Sequence, residues 1–158
     1  MENLTAKEIM NKEVLTVHSE LSIQGLADFL FQNAISGAPV ISDDGKLIGA
    51  VSVTDILRHE TVPEKGVQFN HRHDYYVHTT DDRFSHQDLD ALHFTDDPRT
   101  TVADIMNSRI LVVGEDDTVQ QVADTMIKNR VHRVFVTRHD KLIGIISTAD
   151  MLRVIRDI

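Results

Sequence analysis

The strongest constraint on the fold is that the chain repeats itself. Thr5-Ala-Lys-Glu-Ile-Met-Asn11 returns 96 positions later as Thr101-Val-Ala-Asp-Ile-Met-Asn107. The offset holds through Ala27-Asp28 and Ala123-Asp124, through Asn33 and Asn129, and through Val40 and Val136. One position then drops out: Lys46-Leu-Ile-Gly49 matches Lys141-Leu-Ile-Gly144 at an offset of 95, which carries on through Ser52/Ser147, Asp55/Asp150 and Arg58/Arg153. Two homologous units, residues 1–58 and 100–158, therefore flank an unrelated insert of roughly 40 residues, 59–99. Self-similarity of this kind fixes the architecture before any single element is read. Units of about 55 residues bury little surface alone, so the pair is expected to share one core.

Both units read β-α-β-β-α, an α+β pattern. Thr5 with Glu8 and Thr101 with Asp104 predict N-caps with a carboxylate three residues on, each opening a short helix. The β-branched runs Val14–Val17 and Ile110–Val113 predict a first strand. Apolar residues at helical spacing follow: Ile23, Leu26, Ala27 and Leu30 in one unit, and Val119, Val122, Ala123, Met126 and Ile127 in the other. Asn33 and Asn129 are expected to end these helices, since Asn tolerates the left-handed conformation common at helix C-termini. Two strands then form a hairpin, Pro39–Ile41 with Leu47–Val51 across Asp43-Asp44-Gly45, and Val134–Val136 with Leu142–Ile146 across a turn one residue tighter. The tighter turn accounts for the change of offset. A last helix starts near Thr54 or Ala149.

Composition excludes several kinds of chemistry. The chain of 158 residues is 41% hydrophobic and 26% charged, the balance of a globular protein with a core to bury. It has no Cys, which removes disulfides, thiolate zinc sites and thiol nucleophiles together. A formal charge of −9 repels phosphate backbones and no run of Lys or Arg offsets it, so no nucleic-acid partner is expected. No apolar run approaches the roughly 18 residues that span a bilayer, and the first twelve residues lack signal-peptide character. A cytoplasmic protein without a membrane partner is the expectation.

The third strand of each unit runs into the same signature, Gly49-Ala-Val-Ser52-Val-Thr54-Asp55 and Gly144-Ile-Ile-Ser147-Thr148-Ala-Asp150. A Gly-x-x-Ser-x-x-Asp motif found twice, behind β-α-β-β-α both times, resembles the tandem cystathionine-β-synthase (CBS) domain pair, the Bateman module. The resemblance covers roughly 115 residues and leaves out only the insert. It implies two sheets packed as a pseudo-twofold disc with two clefts. It also implies adenosine compounds such as AMP, ADP, ATP or S-adenosylmethionine as regulatory ligands rather than cofactors. The side chains suit that use. Glycine allows close backbone approach, Ser and the helix N-terminus offer donors to phosphate, and a carboxylate accepts from vicinal ribose hydroxyls. The same spacing also describes a plain capping box.

Where phosphate would be met the two units differ. Val131-His132-Arg133 enters the second strand of the second unit and looks like the phosphate-contacting segment in the sensor subunit of the AMP-activated kinase. Carried over by position, Arg133 pairs with phosphate through its planar fork and His132 assists. The first unit has Ser36-Gly37-Ala38-Pro39 there, without a cation, so its site holds a less charged ligand, borrows a cation across the disc, or is empty. The candidate ligand-binding residues are therefore Ser52, Thr54, Asp55, Ala38 and Pro39 in the first unit, and His132, Arg133, Ser147, Thr148 and Asp150 in the second. Val14, Leu15 and Ala38, with Ile110, Leu111 and Val134, are candidate apolar walls or core.

The insert holds six of the nine histidines and both tyrosines, with nine acidic and four basic residues. A short helix there would put His86, Asp90 and His93 on one face, ligands suited to zinc. A lid or contact loop is the alternative. No nucleophile–base pair recurs in the repeats, so no enzyme is read. The leading reading is a regulatory module that senses adenosine compounds and acts on an effector protein in trans. Its alternatives are a structural dimerisation module with vestigial clefts and a metal-responsive protein using the insert. A homodimer is expected through Ile56, Leu57, Met151, Leu152, Val154 and Ile155 on the two final helices.

Overall fold

The computed structural model describes residues 3–60 and 99–158. The first repeat comprises α1 (Ala6–Ile9), β1 (Val17–His18), α2 (Ile23–Gln32), β2 (Gly37–Ile41), β3 (Leu47–Ser52) and α3 (Val53–Glu60). The second comprises α4 (Val102–Ile105), β4 (Val112–Gly114), α5 (Val119–Asn129), β5 (Arg133–Arg138), β6 (Lys141–Ser147) and α6 (Thr148–Arg156). Each repeat forms a three-stranded sheet with one parallel and one antiparallel pairing, in the orders β1-β2-β3 and β4-β5-β6. The expected helix through His86, Asp90 and His93, and the lid or metal roles of the insert, lie outside the described residues.

The caps form as read. The Thr5 backbone N–H and hydroxyl both donate to Glu8 Oε2, at 2.7 and 2.8 Å, and the Thr101 N–H donates to Asp104 Oδ2 at 2.8 Å. In α2 all four expected apolar residues are buried. In α5 Val122 and Met126 are buried but Ile127 is 75% exposed, because it stands about 100° round the helix from Met126 and leaves the apolar stripe. Asn33 and Asn129 do not take the left-handed conformation expected of them; Ala34 and Arg130 do, at φ 52° and 55°. The asparagine amides instead donate back to the Phe29 and Thr125 carbonyls, each at 2.8 Å. The second hairpin turns on His139 and Asp140, both at positive φ, the two-residue geometry that fits the twist of the strands.

The first strands are shorter than expected and begin later, at Val17 and Val112. The cause is an exchange between the repeats. Before reaching its own sheet, the segment around α1 docks on the second repeat: Ala6 and Lys7 N–H donate to the Asp117 and Glu115 carbonyls at 2.8 and 3.0 Å, and Asn11 pairs with Ile145. The segment around α4 does the same on the first repeat. Val102 and Ala103 N–H donate to the Leu21 and Ser19 carbonyls at 2.8 and 2.9 Å, and Asn107 pairs with Ala50. Instead of one shared core there are two buried clusters, each completed from the other repeat. Val102 sits with Leu26, Leu30, Val40, Val51 and Ile56, and Ala6 with Val122, Val134, Phe135 and Ile146. Residues 12–16 and 108–111 are the crossing arms, so they cannot pair as strands along their full length.

Candidate functional site

The exchange places something unexpected on the signature glycines. A Cβ on Gly49 would lie 2.7 Å from Met106 Sδ and 3.0 Å from the Asn107 carbonyl; one on Gly144 would lie 2.7 Å from Met10 Cγ and 3.0 Å from Met10 Cβ. The close approach that these glycines permit is therefore by the other repeat's arm. The signature strands are gripped two and three residues before Ser52 and Ser147, which anchors the start of the helices that follow.

At the start of α6 the Ser147 N–H and hydroxyl donate to Asp150 Oδ2 at 2.8 and 2.9 Å, and the Asp150 N–H returns to Ser147 Oγ at 3.3 Å. At the start of α3 the Ser52 N–H and hydroxyl donate to Asp55 Oδ2 at 2.8 and 3.2 Å. The capping geometry is real in both repeats. It also holds the carboxylate: Oδ2 is engaged by its own serine, which leaves Oδ1 for another partner. Each Oδ1 accepts from an arginine one turn on, Arg58 Nη1 at 3.2 Å and Arg153 Nη1 at 3.0 Å. These arginines had been visible only as matched positions of the repeat, and their i, i+3 spacing from the aspartates was the signal that could have marked them.

The strand register brings the remaining candidates together. Arg133 lies opposite Ser147, and the His132 carbonyl accepts from the Thr148 N–H at 2.9 Å and from its hydroxyl at 3.2 Å. His132, Arg133, Ser147, Thr148 and Asp150 thus form one constellation at the open end of the β5–β6 hairpin, with Asp150 only 14% exposed in its side chain. In the first repeat Gly37 lies opposite Ser52, and the Ser36 carbonyl accepts from the Val53 N–H at 2.8 Å. Thr54 lies half-buried in the first turn of α3; its counterpart by position is Ala149, while that of Thr148 is Val53, so the two threonines are not equivalent. Ser52 and Asp55 are buried, and Ala38 and Pro39 lie buried within the sheet. Among the candidate walls, Ala38 and Val134 are fully buried core, Val14, Ile110 and Leu111 are half-buried, and Leu15 is 46% exposed.

Of the six residues expected to form a dimer face, Ile56 is fully buried and serves the first core, whereas Leu152 and Ile155 are 59% and 65% exposed. The final helices are thus unequal. Among the described residues no cluster of three or more His, Asp or Glu is placed to hold a metal ion, and no helix is long and apolar enough to cross a membrane.

Comparison with known proteins gives one family. The CBS domain model matches residues 6–61 and 102–157, one match per repeat. An uncharacterized protein of Methanocaldococcus jannaschii, MJ1426, is 30% identical over 96% of this chain and 90% of its own length. The chain spans only 22% to 43% of the length of several longer archaeal relatives, among them proteins named as enzymes. Among solved structures, the CBS domain pair of protein MJ0100 in complex with 5′-methylthioadenosine and S-adenosyl-L-methionine matches with a TM-score of 0.62 at 22% identity, covering 98% of each chain. CBSX2 in complex with AMP matches with a TM-score of 0.64 at 21% identity, covering 97% of this chain and 96% of that one.

Proposed function

The chain belongs to the CBS domain family, and on that premise we propose that it is a regulatory module that binds adenosine compounds in the clefts at Ser52/Asp55 and Ser147/Asp150 and acts on a partner protein in trans. The observation that carries the reading is the constellation around Asp150: a largely buried carboxylate held by Ser147, a helix N-terminus and an arginine meet at one strand end. Asp150 Oδ1 supplies an acceptor for a ribose diol, and the start of α6 with Arg133 supplies donors for a phosphate. The likeness to pairs described as complexes with AMP, and with 5′-methylthioadenosine and S-adenosyl-L-methionine, supports the ligand class. Ligand occupancy would act by shifting how the repeats pack, since each cleft's signature strand is held by the other repeat's arm. We extend the reading to a homodimer through α6, whose Leu152 and Ile155 face outward.

Calorimetry on two variants tests it. Asp150→Ala should weaken adenosine and AMP alike at the second cleft, whereas Arg133→Ala should weaken AMP far more than adenosine, by about 1.5–3 kcal/mol for one charged hydrogen bond. Equal losses for both ligands in both variants would remove the role assignment. A wild-type protein that binds no adenosine compound at millimolar concentration would remove the sensor reading in favour of a structural module.

A further inference from the structure

The contacts that hold Asp150 also decide how much of its carboxylate a ligand can use. A carboxylate offers about four acceptor positions, two on each oxygen. Among the described residues three of those of Asp150 are taken: the Ser147 N–H and hydroxyl donate to Oδ2 at 2.8 and 2.9 Å, and Arg153 Nη1 donates to Oδ1 at 3.0 Å. One position remains, on Oδ1, whereas a vicinal diol brings two donors. Because the Asp150 side chain is largely buried, a hydroxyl brought there without an acceptor loses its water and finds no partner. The first repeat is built alike: the Ser52 N–H and hydroxyl donate to Asp55 Oδ2 at 2.8 and 3.2 Å, and Arg58 Nη1 donates to Oδ1 at 3.2 Å.

The three donors on Asp150 are not equally easy to remove. The Ser147 N–H is fixed in the backbone where β6 turns into α6, and the Ser147 hydroxyl also accepts from the Asp150 N–H at 3.3 Å, so both belong to the cap on which α6 starts. Arg153 is a long side chain, 68% exposed, in an i, i+3 pair of the kind that contributes little in water. From this we infer that Arg153 is a latch: it occupies the acceptor that the second ribose hydroxyl needs, and ligand entry displaces it. The inference rests on the proposed ribose contact at Asp150 and adds to it a residue that opposes binding. It follows that the latch responds to a diol. A ligand with a single ribose hydroxyl can use the remaining acceptor position and leave Arg153 in place.

Calorimetry with adenosine tests the latch, because an uncharged ligand does not itself lose an ion pair when an arginine is removed. Arg153→Gln should tighten adenosine by about two- to fivefold at one site per chain, a modest gain because the arginine is exposed, and should leave 2′-deoxyadenosine unchanged. Arg156→Gln removes the same charge from the same helix without touching Asp150, since Arg156 pairs with Asp157, and should change neither ligand. In the wild type, raising NaCl from about 0.01 to 0.5 M should tighten adenosine by weakening the competing pair, and Arg153→Gln should lose that response. A wild-type affinity that does not rise with salt would overturn the latch without any variant. So would unchanged or weaker adenosine binding in Arg153→Gln, an equal gain for 2′-deoxyadenosine, or an equal gain in Arg156→Gln, each leaving the sensor reading intact. Failure of both the wild type and Arg153→Gln to bind adenosine would overturn the sensor reading and the latch with it.

Discussion

Adding a methyl group at Gly144 should test whether the signature glycines serve the joint between the repeats. The nearest atoms to a new Cβ all belong to Met10 of the opposite arm, with Cγ at 2.7 Å and Cβ at 3.0 Å. Overpacking by one methyl costs about 1–3 kcal/mol when the neighbour has to shift. For a chain of this size that lowers Tm by about 2–4 °C for each kcal/mol. Met10→Ala removes the colliding thioether, so Gly144→Ala should cost much less in that background, a coupling of about 1–2 kcal/mol. Gly49 supplies an internal control. There the new Cβ would also lie 3.0 Å from the Asn107 carbonyl, which accepts the Ala50 N–H at 2.9 Å and has no rotamer to move into. Met106→Ala should therefore rescue Gly49→Ala less completely than Met10→Ala rescues Gly144→Ala. Urea unfolding of the single and double variants reads all of these values, with constant m confirming that the transition stays two-state. Additivity at Gly144 to within about 0.5 kcal/mol would refute the assignment.

Val102→Ala empties a fully buried position in the first repeat's core and should cost about 2 kcal/mol in urea unfolding, although Val102 belongs to the second repeat; a cost below about 0.5 kcal/mol would contradict the exchange. The Thr5 backbone N–H, and next its hydroxyl, hold the Glu8 carboxyl below its ordinary 4.5. The unfolded chain then binds the proton more readily, so this contribution is complete above about pH 4.5 and is lost as pH falls through the lower folded value. Glu8→Gln should therefore lower the melting temperature at neutral pH and change little at pH below the folded value, so that the acid limb of the stability profile flattens in thermal unfolding. Light scattering at micromolar concentration should give about twice the 17.8 kDa chain mass, and Leu152→Glu with Ile155→Glu should halve it; a wild-type monomer would exclude the α6 interface.

Elements were legible in the sequence wherever one repeat checked the other. The caps at Thr5 and Thr101, the apolar face of α2, and the paired hairpins stand where period and turn chemistry put them. Local rules failed at helix ends and edges. Asn33 and Asn129 satisfy a preceding carbonyl with their amides, so the left-handed residue moves one place on, to Ala34 and Arg130. The candidate site was half legible. Ser-x-x-Asp predicted both a cap and a ligand carboxylate, and the fold shows the cap holding the carboxylate in place. Nothing local, however, could show that Arg133 would stand opposite Ser147 and Gly37 opposite Ser52, because cross-strand register depends on how each hairpin closes.

The exchange of α1 and α4 was illegible for a reason that applies to any duplicated chain. Because the two repeats are homologous, Ala6 suits the hollow that receives Val102 about as well as its own, and each arm's capping box and Met-Asn pair suit either sheet. The sequence pattern is therefore the same whether each arm packs at home or across the pair. What breaks the tie is connection: Asn11 pairs with Ile145 while Val17 pairs with Val40, so residues 12–16 have to span the interval between two sheets. Five residues extended reach about 17 Å, which bounds the interval they cross. Once crossed, each arm lies against the strand that carries the other repeat's Ser and Asp. A ligand held at either Ser-Asp pair, as proposed, would therefore bear on a segment whose far end belongs to the other repeat, and the proposed regulation depends on that connection.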